Sequence, residues 1–252
     1  MQAYNASFAR IYNLRWANFA QNAAPRLRTY YESTLVGHEN HRMLDLCCGT
    51  GQLAMHFLDH EYEVTGLDLS EAMLDYARAN AAAYIVAGQA HFVLGDAANF
   101  ELDDRFGLVV STFDALNHLP DFTALKSCFL SVYPCLVEGG LFIFDLNTEE
   151  GLRRWTGIMV EDQPELMLVT RSLYDEASRR AFIRISGFAP AGDDLYERFE
   201  ETTYEVPFDL AAVRTALFEV GFQTVHFARL LDLGAPVDDP EHENRIFILA
   251  EK

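Results

Sequence analysis

One short segment, in which an apolar run meets a glycine turn, constrains the fold of this chain most. Residues 43–46 form the apolar run with the acidic Asp45 inside it, and Gly49 and Gly51 follow in the turn. Glycine adopts positive φ and lets a ligand approach the backbone closely. Apolar residues then recur at helical spacing: Leu53, Ala54, Phe57 and Leu58. The segment therefore predicts a buried strand, a tight turn and a helix, with a ligand crevice at the turn.

Two more acidic residues follow later apolar runs. Asp68 ends the segment 62–68, at 68 − 45 = 23 positions beyond Asp45, and Asp96 follows the segment 91–95. In nucleotide-binding α/β folds, an acid about 20 residues beyond the glycine turn accepts hydrogen bonds from ribose hydroxyls. Neighbouring parallel strands end side by side, so their first loops face one bound molecule. The three acids thus predict a nucleoside-binding crevice.

This set of residues resembles the class I methyltransferases that use S-adenosylmethionine, over residues 40–147 and more loosely beyond them. The resemblance implies S-adenosylmethionine as cofactor and S-adenosylhomocysteine as its product. It implies that Asp45 orients the methionine end through its ammonium group, directly or through water. Gly49 and Gly51 would form the close backbone approach, and Asp68 would accept from both ribose hydroxyls.

The resemblance also implies how the adenine is held. Leu69 and Met73 would pack on the ring, Asp96 would receive the exocyclic amine, and the Ala97 backbone would meet a ring nitrogen. One departure is visible, since many members of the family carry Gly where this chain has Cys47. The Cys47 side chain would form a wall of the cofactor pocket beside the methionine chain.

The fourth predicted strand covers residues 106–111. In the resembled fold, the loop that follows this strand lies next to the transferable methyl. The backbone at Thr112 and Phe113 would meet the methionine end of the cofactor. The loop resembles that of small-molecule methyltransferases and lacks the Asp/Asn-Pro-Pro-Tyr pattern of nucleic-acid amino methyltransferases. Three polar residues of the loop are candidate contacts to a small-molecule acceptor: Asp114, Asn117 and His118.

His118 and Asp114 are the candidate catalytic residues. His118 would take the proton from an oxygen or nitrogen nucleophile as the methyl leaves sulfur, or it would simply cap or pack the following helix. Asp114 would hold an amine acceptor by its charge. Methyl transfer displaces an already activated sulfonium, so alignment supplies much of the catalysis and a base is not required. The sequence does not separate N- from O-methylation.

Two rival functions use the same residues. Residues 49–54 also match the looser G-x-G-x-x-A fingerprint, which favours an NAD-linked oxidoreductase of Rossmann type. A non-catalytic S-adenosylmethionine-binding protein is the second rival. The methyl donor is favoured over the dinucleotide because Asp45 lies inside the first strand end, where no dinucleotide role requires a charge, and because residues 95–97 supply an adenine edge.

Charge and cysteine usage limit the partners. The formal net charge of −19 and a sequence pI near 4.7 disfavour nucleic acid and anionic membrane surfaces as partners. The sequence contains no apolar run long enough to predict a membrane-spanning helix. The four cysteines lack the paired spacing of a metal site and are expected to be reduced thiols in the cytoplasm.

The alternation of strands and helices up to residue 147 predicts a parallel sheet with right-handed crossovers. The expected fold is a Rossmann-like, doubly wound α/β fold, and the resemblance implies a seven-stranded mixed sheet whose last strand pair is antiparallel, at 223–231 and 245–251. Residues 1–147 would form the N-terminal helix and cofactor-binding core, 148–207 an insertion, and 208–252 the helix and strand pair that complete the sheet.

The insertion contains alternating segments at 166–174, 180–188 and 195–206, separated by short polar turns, which predict an antiparallel meander. A lid over the transferable methyl would shape the acceptor pocket and exclude water. The other role for the insertion is the contact between the two chains of a homodimer. The lid role and the dimer role are compatible with each other.

An aromatic stripe at helical spacing predicts one amphipathic helix over residues 3–21. Packing is its simplest use, and contact of Tyr4, Tyr12 or Trp16 with cofactor or substrate is the alternative. The stripe consists of Tyr4, Phe8, Tyr12, Trp16 and Phe19.

Overall fold

Two β-sheets organise the chain, and the helices pack on the larger one. The computed structural model describes Tyr4 and residues 6–163, 166–190, 192 and 195–252. The strands are β1 (Arg42–Leu46), β2 (Glu63–Asp68), β3 (Ala90–Leu94), β4 (Phe106–Ser111), β5 (Leu136–Asn147), β6 (Gly157–Gln163), β7 (Leu166–Asp175), β8 (Arg180–Pro190), β9 (Tyr196–Glu205), β10 (Thr224–Arg229), β11 (Asp232–Pro236) and β12 (Arg245–Glu251). The α-helices are α1 (Ala6–Arg15), α2 (Ala17–Glu32), α3 (Leu35–Glu39), α4 (Gln52–Leu58), α5 (Glu71–Asn80), α6 (Ala82–Val86), α7 (Phe122–Cys135), α8 (Glu149–Arg153) and α9 (Leu210–Val220).

The larger sheet confirms the doubly wound α/β fold, with one correction. Its strand order is β11-β10-β12-β5-β4-β1-β2-β3; the pairs from β3 to β5 are parallel, and β12 runs antiparallel to both β5 and β10. The prediction of seven strands was wrong, because the described residues form eight strands in this sheet. The additional strand β11 is short and contains Gly234 and Pro236, residues typical of loops, yet it pairs with the end of β10.

Both faces of this sheet are covered by helices, as a doubly wound fold requires. Helices α7 and α9 bury one face in a core that includes Phe129 and Leu217. Helices α2, α4 and α5 bury the other face, where Leu27, Phe57 and Leu74 lie. No helix within the described part of the chain combines the length and apolarity needed to cross a bilayer.

The parallel strands β1 to β5 end at one edge of the sheet, so the loops that follow them are neighbours. Two of these loops lead directly into helices with clear start signals. Gly51, at φ 82°, is the N-cap of α4. The Ser70 hydroxyl accepts a hydrogen bond from the Met73 N–H at the start of α5 and donates one to the Tyr4 carbonyl oxygen. The glycine turn and the N-terminal segment are thereby fixed at the same sheet edge.

The inserted sheet confirms the predicted antiparallel meander, whose three segments form β7, β8 and β9, and the described residues add a fourth strand, in the order β6-β7-β8-β9. The first strand, β6, was missed because Ile158, Met159 and Val160 stand side by side without the alternation that indicates a half-buried strand. Directly opposed residues share one face of an antiparallel sheet. Ser172, Ile183 and Thr203 are opposed in this way and face the strand ends of the larger sheet.

The N-terminal prediction of one helix over residues 3–21 was also wrong. The chain forms α1 and then α2, with a break at Trp16, whose backbone (φ −102°, ψ 19°) is not helical. Ala3 and Asn5 lie outside the described residues. The break separates Phe19, which stacks on Phe113 with ring centroids 4.8 Å apart, from the aromatic residues on and before α1. The stripe is therefore split between two helices.

Helix α1 joins the inserted sheet to the rest of the molecule. Ile11 is fully buried in a small core that it shares with residues of the inserted sheet, which are Leu166, Leu168, Ala189 and Phe199. Ion pairs support the same contact on the surface, from Arg10 to Glu197 and from Arg15 to Glu161. We call the four-stranded sheet the lid from here on. Its inner face covers the strand ends; contact with a second copy of the chain stays a prediction.

Replacing Ile11 by Ala should destabilise this joint. Removing a buried Ile side chain costs about 2 to 5 kcal/mol in the free energy of unfolding, because the cavity left behind closes only in part. Leu14→Ala, on the same helix but 67% exposed, is the matched control and should change stability by less than about 0.5 kcal/mol. Denaturant unfolding of both variants measures the difference. Equal midpoints for the two variants would contradict the described packing of α1 on the lid.

Candidate functional site

A cavity of about 620 Å³ lies between the strand ends of the larger sheet, helix α1 and the lid. This volume is within the range of about 300–1,000 Å³ typical of small-molecule sites. The glycine-turn loop, the loops after β2, β3 and β4, the aromatic residues of the N-terminus and the inner face of the lid all contribute to its wall. The described residues thus bring the predicted crevice and the predicted lid together around one space.

The turn after β1 is left-handed at several positions. Cys47, Gly49 and Gly51 have φ values of 62°, 54° and 82°. The positive φ of Cys47 explains why glycine suits this position, because a left-handed backbone costs a residue with a side chain about 1 to 2 kcal/mol. Gly49 borders the cavity, and a Cβ there would stand 3.5 Å from the Tyr12 ring; Gly51 instead faces α5, 3.2 Å from Ala77. Cys47 and Gly49 line the cavity, whereas Gly51 shapes the turn.

Asp68 lies at the centre of one end of the cavity. One carboxylate oxygen accepts from the Gly49 N–H at 2.9 Å and the other from the Ser70 N–H at 2.9 Å, so the side chain ties the loops after β1 and β2 together. Burial raises the pKa of Asp68, and these backbone donors oppose that rise. A carboxylate has about four lone-pair positions. Asp68 can therefore accept further hydrogen bonds from a ligand in the cavity.

The other two predicted acids do not line the cavity. Asp45 is buried behind the glycine turn, where its Oδ2 accepts from the Ala54 N–H at 3.1 Å in the first turn of α4. Burial raises the pKa of Asp45 to about 7. Asp96 is half-buried, and its Oδ1 accepts from the Ala98 N–H at 2.9 Å. An apolar wall stands beside Asp68 and is formed by the three other predicted residues, Leu69, Met73 and Ala97.

The loop after β4 has an unusual backbone. Phe113 and Asp114 both have positive φ, at 64° and 53°, and a 3₁₀ turn at Ala115–His118 follows. Such conformations persist only where the surroundings hold them, and they concentrate at functional sites. The Asp114 N–H donates to Asp145 Oδ2 at 3.1 Å. Thr112, Phe113, Asp114 and His118 all line the cavity.

Asn117 is fully buried and does not reach the cavity. Its amide nitrogen donates to the carbonyl oxygens of Asn147 and Val206 at 3.1 and 2.9 Å, and its amide oxygen accepts from the Asn147 N–H at 2.9 Å. The predicted role of Asn117 in substrate contact has no support in this geometry. The side chain instead joins the loop after β4 to β5 and to the residue that follows the lid.

A buried charged cluster lies beside His118 and was not anticipated from the sequence. Arg245 at the start of β12 donates to Asp114 at 2.8 Å and also to Asp145. The Asn147 amide nitrogen donates to Asp114 and to Glu205 of the lid, at 2.9 Å in each case. Burial raises the pKa of Asp145 to about 6, although Arg245 lowers it in part. We call these five residues the acid cluster.

His118 has one ring nitrogen committed and the other directed to the cavity wall. Its Nδ1 lies 2.9 Å from the Tyr204 carbonyl oxygen, which can only accept, so Nδ1 carries the proton. Burial lowers the pKa of His118, so the ring is neutral near pH 7. The lone pair is then on Nε2, which lies 3.5 Å from the Tyr4 hydroxyl. A neutral imidazole in this state can accept a proton.

The residues that sequence reasoning missed come from distant parts of the chain. Glu205 lies near the end of an alternating segment, and an acidic residue at an inward-facing position there is a recognisable signal. The sequence does not indicate which residue that acid contacts. Arg245 opposes Asn147 in the antiparallel pair of β12 and β5, a register that the sequence does not fix. Tyr4, Tyr12 and Trp16, considered above as possible contacts, do line the cavity.

Comparison with known proteins agrees with this geometry. Residues 43–140 match a family model described as a methyltransferase domain. A protein of a Geobacillus species named as a methyltransferase is 27% identical over 84% of this chain and 84% of its own length. The dTDP-3-amino-3,4,6-trideoxy-alpha-D-glucopyranose N,N-dimethyltransferase of Streptomyces venezuelae is 26% identical, over 71% of this chain and 78% of its own length.

The fold has a close counterpart among solved structures. An S-adenosylmethionine-dependent methyltransferase from Clostridium acetobutylicum superposes with a TM-score of 0.78 at 22% identity and covers 97% of both chains. The match therefore includes the lid as well as the larger sheet. The family match over the glycine turn favours the methyl-donor interpretation of residues 49–54 over the dinucleotide one.

Proposed function

We propose that this chain, a class I S-adenosylmethionine-dependent methyltransferase, methylates an amino group of a small-molecule acceptor, with Asp68 on the donor ribose and His118 as the proton acceptor. The matched methyltransferase domain and the relatives support the enzyme class, and the amino-sugar methyltransferase among them supports a small acceptor. The roles of individual residues and the choice of nitrogen are the proposal. The observation that carries it is that one cavity has a nucleoside-binding end at Asp68 and a proton-accepting end at His118.

The residues at the first end fit the donor. Asp68 retains free lone pairs toward the cavity, Gly49 leaves the wall without a side chain, and the apolar wall beside Asp68 suits an adenine ring. Cys47, Thr112 and Phe113 border the space that leads to His118 and would flank the methionine chain. Asp45 would act on the methionine end only through the glycine turn or water. When bound, the cofactor supplies a methyl group already activated on a sulfonium.

His118 is placed to handle the proton that the acceptor must lose. The Tyr204 carbonyl oxygen fixes the tautomer, so Nε2 is the basic atom, and it lies beside the Tyr4 hydroxyl in the cavity wall. An acceptor that binds as its ammonium would first give one proton to Nε2, which frees the nitrogen lone pair to take the methyl group that the cofactor supplies. The lid and the aromatic residues of the N-terminus close over this end, which excludes water from the transfer.

Nitrogen is favoured over oxygen as the nucleophile by the charge of this end of the cavity. Asp114 and Glu205 both border it, and carboxylates attract an ammonium group rather than a neutral hydroxyl. The N,N-dimethyltransferase of Streptomyces venezuelae, whose printed substrate is an amino sugar, supports the same choice. We place the enzyme in the cytoplasm, which the four free cysteines support.

Replacing Asp68 by Ala should weaken donor binding. Loss of a charged acceptor of hydrogen bonds costs on the order of 1.5 to 3 kcal/mol, which raises the dissociation constant by about 10- to 150-fold. Calorimetric titration with S-adenosylmethionine and S-adenosylhomocysteine measures this constant. Glu63→Ala, at the exposed opposite end of β2, is the control and should leave it unchanged. Wild-type affinity in the Asp68 variant would remove the ribose assignment.

Replacing His118 by Asn should slow turnover without weakening donor binding. The Asn amide can still donate to the Tyr204 carbonyl oxygen, but the basic Nε2 is lost, and removing a positioned base lowers kcat by about 10² to 10⁴. Formation of S-adenosylhomocysteine with an amine acceptor measures kcat, and calorimetry measures the donor. His226→Asn on β10, whose ring contacts the Leu233 carbonyl, is the control. A normal kcat would return His118 to a packing role.

A further inference from the structure

Glu205 is the least compensated charged group of the acid cluster. It is 1% exposed, and its Oε2 accepts one hydrogen bond, from the Asn147 amide. Arg245 contacts Asp114 and Asp145, and no hydrogen bond or ion pair joins Glu205 to a cation among the described residues. An ionised carboxylate that is buried without a cationic partner is strongly disfavoured. Glu205 therefore holds a proton or requires a cation from outside the chain.

The neighbours of Glu205 favour its protonated form in the free enzyme. Asp114 and Glu205 accept from the same Asn147 amide nitrogen, so their carboxylates are held side by side. Two carboxylates in one buried site do not both ionise readily. Burial and the charge of Asp114 raise the pKa of Glu205 well above its ordinary value, and the Asn147 amide and Arg245 oppose that rise only in part.

The remaining groups around the pair do not supply the missing positive charge. From the loop after β4, His118 is neutral; from the N-terminal segment, Tyr4 is an uncharged hydroxyl whose pKa is raised by burial. From β5, Asp145 adds negative charge, and from β12, Arg245 is already shared between two acids. Asp68, at the other end of the cavity, is also acidic. A ligand cation is the partner that this arrangement fits.

We propose that Glu205 holds a proton beside the Asp114 carboxylate in the free enzyme and releases it when an amine binds as its cation, so that the site selects an ammonium group over a neutral hydroxyl. This inference rests on the proposed function, since it concerns the acceptor end of the same cavity. The proton of Glu205 leaves to solvent, and the ammonium takes its place between the carboxylates of Glu205 and Asp114. The ammonium then loses its own proton to His118 before the methyl is transferred.

The exchange has a defined dependence on pH. At low pH Glu205 keeps its proton, which competes with the cation, whereas at higher pH the proton leaves more readily and the cation binds more tightly. The raised pKa of Glu205 also means that the ligand-free protein loses stability as pH rises through that value. Glu205→Gln removes both effects, because the amide cannot ionise and does not attract a cation.

The test uses methylammonium chloride as the probe, with sodium chloride at equal ionic strength as its reference, on protein saturated with S-adenosylhomocysteine. We expect methylammonium to raise the midpoint of thermal unfolding by about 2 to 4 °C near pH 8.5 and by less near pH 6. Glu205→Gln should show no such rise at either pH. Glu200→Gln, on the same strand with its side chain paired to Arg184 and Arg198, is the matched control and should behave as wild type.

Three results would overturn the inference. They are no rise with methylammonium in the wild type, an equal rise in Glu205→Gln, or a rise of the same size at both pH values, since the last would mean that a cation binds without displacing a proton. The stabilisation by S-adenosylhomocysteine alone, measured in the same assay, distinguishes a failure of this inference from a failure of the proposed function. If that stabilisation is present while the methylammonium effect is absent, the inference fails and the proposed methyl transfer stands; if it is absent, the proposed function fails.

Discussion

The contacts of Arg245 are the interaction on which the arrangement of the site depends. Its guanidinium binds Asp114 after β4 and Asp145 on β5, residues that lie 131 and 100 positions away in the chain. Through Asn147 the same cluster reaches Glu205 of the lid. A buried ion pair contributes little net stability, because desolvation offsets the attraction, but breaking one partner is costly. The cluster therefore specifies where three parts of the chain meet more than it stabilises the fold.

The cavity follows from this meeting point and from the edge of the sheet. Parallel strands bring the glycine turn, Asp68 and the loop after β4 to one side, and the acid cluster holds the lid over them. Helix α1 closes the remaining side through Ile11 on the lid and through the contact of Tyr12 with the glycine turn. The proposed donor end is thus built by local loops of the core, whereas the proposed acceptor end requires the lid and the last strand.

This division explains what the sequence could predict. Each of the donor-side residues, such as Asp68 and Gly49, lies at or just after the end of a single strand. Strand ends can be located from apolar runs and turn residues. Glu205 and Arg245 depend on which strands pair and in what register, over separations that local patterns do not carry. The same limit applies to the elements. Strand β11 was missed because its Gly and Pro are typical of loops, and β6 because its apolar residues do not alternate. The helix break at Trp16 has no glycine or proline to indicate it, so the aromatic stripe predicted one continuous helix.

The central claim is that a single cavity binds the donor at Asp68 and presents its methyl toward His118 and the acid cluster. A crystal structure of the complex with S-adenosylhomocysteine tests it most directly. We expect the ribose hydroxyls on Asp68, the adenine against Leu69 and Met73, and the sulfur directed toward the space between His118 and Glu205. A nucleoside bound elsewhere, or a sulfur directed away from His118, would contradict it.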